Sequence, residues 1–268
     1  MHVRVLLIAA VSAAALAVAP AAGASPACKA ESGRQTAPLV ELYTSEGCDS
    51  CPPADRWLSA KFAPGGANAG AIALAFHVDY WDRLGWKDRF AAPAWTKRQY
   101  DSARAARSDL VYTPQVLVQG RELSNWHAEK ASAAAIAAAG RTPARAEIAL
   151  EVTPQPGAVA VRATARVPSA ADRKGAMLFV ALTDDGLISD VKAGENKGKR
   201  LVHDHVVRHL RGDIAITGAG ESAGTVSLPL PAEAGKASTI VAFVQNVETG
   251  DVLQALALPL TPGCLPAR

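Results

Sequence analysis

Two cysteines stand three positions apart in VELYTSEGCDSCPPADRW, Val40 to Trp57. A C-x-x-C pair suits three kinds of chemistry: a dithiol–disulfide couple, part of a soft-metal clip, or a plain covalent staple. A thiol does redox work as thiolate, which is favoured where the sulfur meets free backbone N–H groups and the positive dipole end of a helix. Cys48 takes that place if the apolar run before it is a strand and PPADRW after it opens a helix. It is then expected to be the exposed, attacking sulfur, with Cys51 one turn on to resolve a mixed disulfide. Asp49 between them disfavours a neighbouring anion and works against an acidic Cys48.

Other groups could serve that pair. Strand alternation puts Glu41 with Leu39 and Tyr43, and a carboxylate beneath a redox couple can act as its base; it can equally be a paired structural residue. In FHVDYWDRLGWKDRF, Tyr80, Trp81 and Trp86 offer aromatic faces for a polypeptide and Asp79 a proton shuttle. The alternative is that these aromatics pack a loop over the core. In LVHDHVVRHL, His203 and His205 share a face of a strand, whereas His205 and His209 align on a helix. Neither arrangement gathers all three, so a zinc or copper site would need Cys48 and Cys51 as well. No cofactor and no independent metal set is assigned. Lys192, Lys197, Lys199 and Arg200 read as a solvated basic loop.

The surrounding pattern supplies the elements. APLVELYTS reads as a buried strand, PPADRWLSAKF as a helix opened by Pro52 and Pro53, and GAIALAFHV as a second strand. PAWTKRQYDSARAARSDL follows as a charged helix with Pro93 in its first turn, and PQVLVQGREL as a strand, a Gly120 turn and another strand. An Ala-rich helix is expected from about Asn125 to Ala139, with Ser124 or Asn125 as its cap. This βαβαββα order is that of a thioredoxin-like three-layer α/β domain, placed at residues 36–141. In such folds a proline before a central strand is cis and lies beside the redox pair; Thr113–Pro114, just before Gln115–Gln119, occupies that location. After a boundary near Thr142–Pro143, residues 143–260 read as a smaller β-rich, sandwich-like domain, rich in short runs set off by Gly, Pro and Asp-Gly turns. All aromatic residues but Phe179 and Phe243 lie between Tyr43 and Trp126, which also separates the two stretches.

Residues 1–24 have the basic start, apolar run (Val5–Val18) and small-residue end of a secretory signal peptide. The run is shorter than the roughly 20 residues that span a bilayer, so no permanent membrane anchor is expected. All four cysteines then enter an oxidising periplasmic or extracellular space, where pairing is the default. Cys48 and Cys51 form the close pair, leaving Cys28 and Cys264 as a structural disulfide between the ends. A formal net charge of +3 on 268 residues implies no strong field for nucleic acid. The expected partners are thiol- or disulfide-containing proteins or small thiols; oligomeric state is not legible.

VELYTSEGCDSC resembles the glutaredoxin form of the thioredoxin superfamily, with Tyr-Thr after the strand. More closely, ELYTSEGCDSCPPAD, FHVDYWDRLGWKDRF, TKRQY, VYTPQV, GENKGKRLVHDHVVR and AFVQNVETGDVLQA resemble a secreted bacterial thioredoxin-like family, domain of unknown function 1223, from about Leu39 to Leu258. The resemblance implies a fold and a candidate site comprising Cys48, Cys51, Thr113 and Pro114, but no substrate. Three functions follow as expectations: a thiol-disulfide oxidoreductase, a copper or zinc chaperone using the same sulfurs, and a non-catalytic binding module with a structural disulfide.

Overall fold

A computed structural model describes residues 28–63, 68, 70–232 and 237–266; the expected leader, residues 1–24, lies outside them. The fold is mixed α/β, with far more sheet than helix. Strand β1 (Cys28–Glu31) precedes β2 (Leu39–Thr44), an apolar run buried on both faces. Helix α1 (Pro52–Phe62) follows, with prolines in its first two positions, where a missing N–H costs no intrahelical bond. It leads to β3 (Ile72–His77), parallel to β2 from Leu39↔Ile72 to Thr44↔His77.

Helix α2 (Pro93–Ala105) buries Trp95, Gln99 and Ala103, spaced four apart along one face. Strand β4 (Gln115–Val118) runs antiparallel to β2 and turns through Gly120 into β5 (Arg121–Glu122). Helix α3 (Glu129–Gly140) begins later than expected: Ser124 to Ala128 form turns, and the N-cap is Ala128 with no side-chain cap bond. Leu123 and Trp126 are the reason, since both dock on the cluster of Val40, Leu42, Leu58 and Val118 and hold that segment out of the helix.

The second half is mainly strand, with a helical turn at Ala170–Arg173: β6 (Glu147–Gln155), β7 (Ala158–Arg166), β8 (Ala176–Asp185), β9 (Leu187–Asp190), β10 (Arg200–His203), β11 (Val206–Ala215), β12 (Glu221–Pro229), β13 (Ala237–Asn246) and β14 (Val252–Pro259). It does not stand apart at Thr142–Pro143. Strand β11 pairs in parallel with β3 at Val206↔Ala75, giving one eight-stranded sheet of order β14-β13-β8-β11-β3-β2-β4-β5. Both faces of β8 and β13 are therefore covered. One meets Tyr43, Phe76 and Trp95 through Ala181, Val241 and Phe243. The other meets Ile148, Leu150 and Val161 of a four-stranded sheet, β1-β6-β7-β12, through Leu178, Val180 and Ile240. The sandwich thus borrows one of its layers from the long sheet. Cys28 and Cys264 are joined by a disulfide that ties β1 to the chain end. No helix among the described residues is long and apolar enough to cross a membrane.

Candidate functional site

The segment after β2 turns sharply into α1. The Cys48 N–H donates to Ser45 O at 3.2 Å and Gly47 N–H to Ser45 Oγ at 3.1 Å. Gly47 is required by proximity, because a Cβ there would lie 2.9 Å from Trp81 Cβ. Cys48 and Cys51 are joined by the second disulfide, and Cys51 is the N-cap of α1.

Two expectations about Cys48 are corrected here. Pro52 and Pro53 carry no N–H, the Cys51 N–H is bonded to Cys48 O at 3.3 Å, and the Ala54 N–H to Cys51 O at 2.9 Å. The four N–H groups that a helix start normally leaves free are thus absent or satisfied, and none is left over for a thiolate. Nor is Cys48 exposed: both cysteines are 0% accessible, although Asp49 and Ser50 between them face solvent.

The cover comes from the loop joining β9 to β10, the segment read as a solvated basic loop. Buried Asn196 donates through Nδ2 to both Glu46 O and Cys48 O at 2.8 Å, while Lys199 Nζ donates to its Oδ1 at 2.8 Å. Glu195 accepts the Asp49 N–H at 3.1 Å. At about 1 kcal/mol per hydrogen bond, losing two loosens the cover by a factor of about 10 to 30. Asn196→Ala is accordingly expected to speed reduction of Cys48–Cys51 by dithiothreitol by that factor; an unchanged rate would show that the loop does not gate the sulfurs.

The bond between Thr113 and Pro114 is cis. Trp81 connects it to the disulfide turn, packing on Gly47 while its Nε1 donates to Thr113 Oγ1 at 2.8 Å. Tyr80, Trp81, Thr113 and Pro114 are all half-buried. Tyr80 donates to Gln99 Oε1 at 3.3 Å, and Trp86 Nε1 to Glu46 Oε2 at 2.7 Å. Asp79 accepts from Thr96 Oγ1 at 2.5 Å. Glu41 is not beneath the pair. Its side chain lies on the α2 face of the sheet, held by Arg98 through Nε and Nη2 at 2.8 and 2.5 Å, whereas α1 covers the opposite face.

Four ionisable groups that the sequence reading left aside, His77, Asp88, Glu46 and Asp55, gather with His203 on the α1 side of the sheet. His77 Nδ1 lies 2.6 Å from Asp88 Oδ2 with both side chains fully buried. His203 Nε2 lies 3.3 Å from Glu46 Oε1, and its Nδ1 lies 4.0 Å from Asp55 Oδ2. Phe90 closes on both imidazoles. His203 is split from His205 and His209 because the strand breaks at Asp204–His205, His205 taking φ 58°. Among the described residues no three His, Cys, Asp or Glu side chains are placed to share a metal ion. Residues such as Glu46, Asp88 and Asn196 stand inside the motifs quoted above, but only the pairing of distant strands brings them together.

Burial alone would push the His77 imidazole down, but Asp88 outweighs it and holds His77 above its ordinary 6.5. Burial likewise pushes Asp88 up, and His77 with the N–H groups of Glu46 and Phe90 brings it below the ordinary carboxylate range. A raised imidazole stabilises the fold in full below its ordinary value and ceases to as pH rises through its folded value. A depressed carboxylate stabilises above its ordinary value and ceases to as pH falls through its folded one. The pair therefore contributes most between about pH 4 and about pH 6.5. Thermal midpoints should decline on both sides of that window, and Asp88→Asn should flatten both limbs; a variant profile parallel to the parent's would exclude the pair as their source.

Two solved structures share the fold. Protein AGR_C_4864 from Agrobacterium tumefaciens is 25% identical, with a TM-score of 0.56 over 85% of this chain and 96% of that one. HBP35 of Porphyromonas gingivalis is 16% identical, with a TM-score of 0.64 over 84% of this chain and 75% of that one. Comparison with the curated proteins finds no match. The family profile described as "Protein of unknown function (DUF1223)" matches residues 39–245, most of the described chain including both Cys48–Cys51 and the Asn196 loop, and the chain belongs to that family.

Proposed function

We propose that the chain is an exported, thioredoxin-like thiol-disulfide oxidoreductase, acting in the periplasm or outside the cell on protein or small-thiol substrates. One observation carries the reading: a C-x-x-C disulfide at the start of α1 is linked to Thr113–Pro114 by one indole, Trp81, which packs on Gly47 just before Cys48 and donates to Thr113 Oγ1 at 2.8 Å. Cys48 is the sulfur attacked and Cys51 the leaving and resolving one, while the backbone before Pro114 holds the partner polypeptide. Tyr80 and Trp81 border the same place and supply apolar faces to it.

The test is disulfide exchange with insulin or a scrambled disulfide protein, by the intact chain and by Cys48→Ser. Turnover in the first and loss of at least about 100-fold in the second is the expected result, since the attacking thiolate is the nucleophile. A second reading, a structural disulfide in a binding module, is favoured by the complete burial of both sulfurs. It gains if dithiothreitol reduces Cys48–Cys51 only as the protein unfolds.

A further inference from the structure

Reducing a buried disulfide poses a charge problem. When a thiolate attacks Cys48, the S–S electron pair leaves on Cys51, and an anion in a water-free site is strongly disfavoured unless it is neutralised. Here the helix start offers no free N–H, because two of the four positions are proline and the other two are bonded. Both cysteines are 0% accessible, and the Asn196 loop is bonded to the Cys48 carbonyl beside them. A proton donor inside the fold would meet that charge where it forms.

A buried acid lies one helical turn from Cys51. Asp55 lies four residues after Cys51 in α1, its N–H bonded to Cys51 O at 3.1 Å, so the two side chains share a helix face. It is 8% exposed, and burial raises it above the ordinary carboxylate range against the pull of His203 and His77. Behind it stands His203, 2% exposed, with neither ring nitrogen in an aligned hydrogen bond. Its ring lies between two carboxylates that flank the cysteine pair in the sequence: Glu46, two residues before Cys48, and Asp55. Thr44 on β2, His77 on β3 and Asp88 complete the groups that act on Asp55.

We propose that Asp55 exchanges the proton of Cys51 and that His203 is the positioning residue that holds Asp55 for this task. The proposal rests on the redox reading of Cys48–Cys51. In reduction, a substrate thiolate bonds to the Cys48 sulfur, the Cys48–Cys51 bond breaks, and neutral Asp55 protonates the departing Cys51 thiolate, becoming a carboxylate beside His203. A second substrate thiolate then attacks the substrate sulfur of the mixed disulfide, which releases Cys48 as thiolate and leaves the substrate oxidised by two electrons. In the reverse direction Asp55 takes the Cys51 proton, and the Cys51 thiolate displaces the substrate thiolate from Cys48.

The full-length reduced protein, treated with 5,5′-dithiobis(2-nitrobenzoate), tests this. The first release of chromophore reports attack by Cys48, and the second reports Cys51 closing the disulfide. Asp55→Asn should leave the first phase unchanged and slow the second by about 100-fold near neutral pH, the usual size of general-base catalysis. The residual rate should then climb with hydroxide. His203→Gln should displace the pH profile of the second phase without abolishing it. A residue needed only for folding would lower the thermal midpoint and leave that profile in place. Equal second-phase rates in all three proteins would overturn this inference and leave the oxidoreductase reading standing; a native protein in which neither sulfur reacts would overturn both.

Discussion

Replacing Cys28 and Cys264 together by serine is expected to remove about 5 kcal/mol of stability, the loop-closure value for so long a loop. The bond spans 236 residues, so almost the whole described chain is cross-linked in the unfolded state. Its native surroundings allow little compensation: Cys264 is 3% exposed, and β1, four residues long, has β6 as its one pairing strand, from Cys28↔Val152 to Glu31↔Ala149. Urea unfolding of parent and double variant measures the difference. Because the bond lies on the sandwich and not at α1, the reduction rate of Cys48–Cys51 should be unaltered under native conditions. A loss below about 1 kcal/mol would mean that native strain offsets the cross-link.

Arg98→Ala is the second large effect, at about 3–5 kcal/mol, because it strands a buried charge. The Arg98 and Glu41 side chains are 9% and 1% exposed, and Nη2 also donates to Gln245 Oε1 at 3.1 Å. The guanidinium further lies 5.1–5.4 Å from the ring centroids of Phe76, Phe179 and Phe243, so one cation serves three aromatic faces from both halves of the sequence. Removing both charges of the pair, as Glu41→Gln with Arg98→Met, should recover most of the loss, since a desolvated ion pair gains little over an apolar replacement of similar size. If the double variant is as unstable as Arg98→Ala, the aromatic contacts and not the stranded carboxylate account for the loss.

The elements with local signals were legible. LVELYT and IALAFH are apolar enough to be buried strands, and prolines mark the starts of α1 and α2. The Cys28–Cys264 bond followed from counting cysteines. What was not legible depends on pairing between distant segments: nothing near Ala75 announces that Val206 will lie beside it. LVHDHVVRHL fitted a strand or a helix, and the structure takes a third course, two strands broken by a left-handed residue. The same long-range step hides much of the site. Cys48, Cys51, Thr113, Pro114 and Trp81 declare themselves by type and spacing, whereas Asn196 and His203 matter only because a hairpin more than a hundred residues later folds over α1. Glu41 was misplaced for a simpler reason, that alternation gives which residues share a face but not which helix covers it.

The pair of prolines that opens α1 bears on redox poise. Strongly oxidising dithiol proteins owe that character to a reduced state made unusually comfortable, so that electrons are drawn in. A helix start with two of its N–H groups missing offers less of that comfort, so a Cys48–Cys51 couple is expected toward the electron-giving end of the scale, holding its sulfurs joined until a vigorous donor arrives.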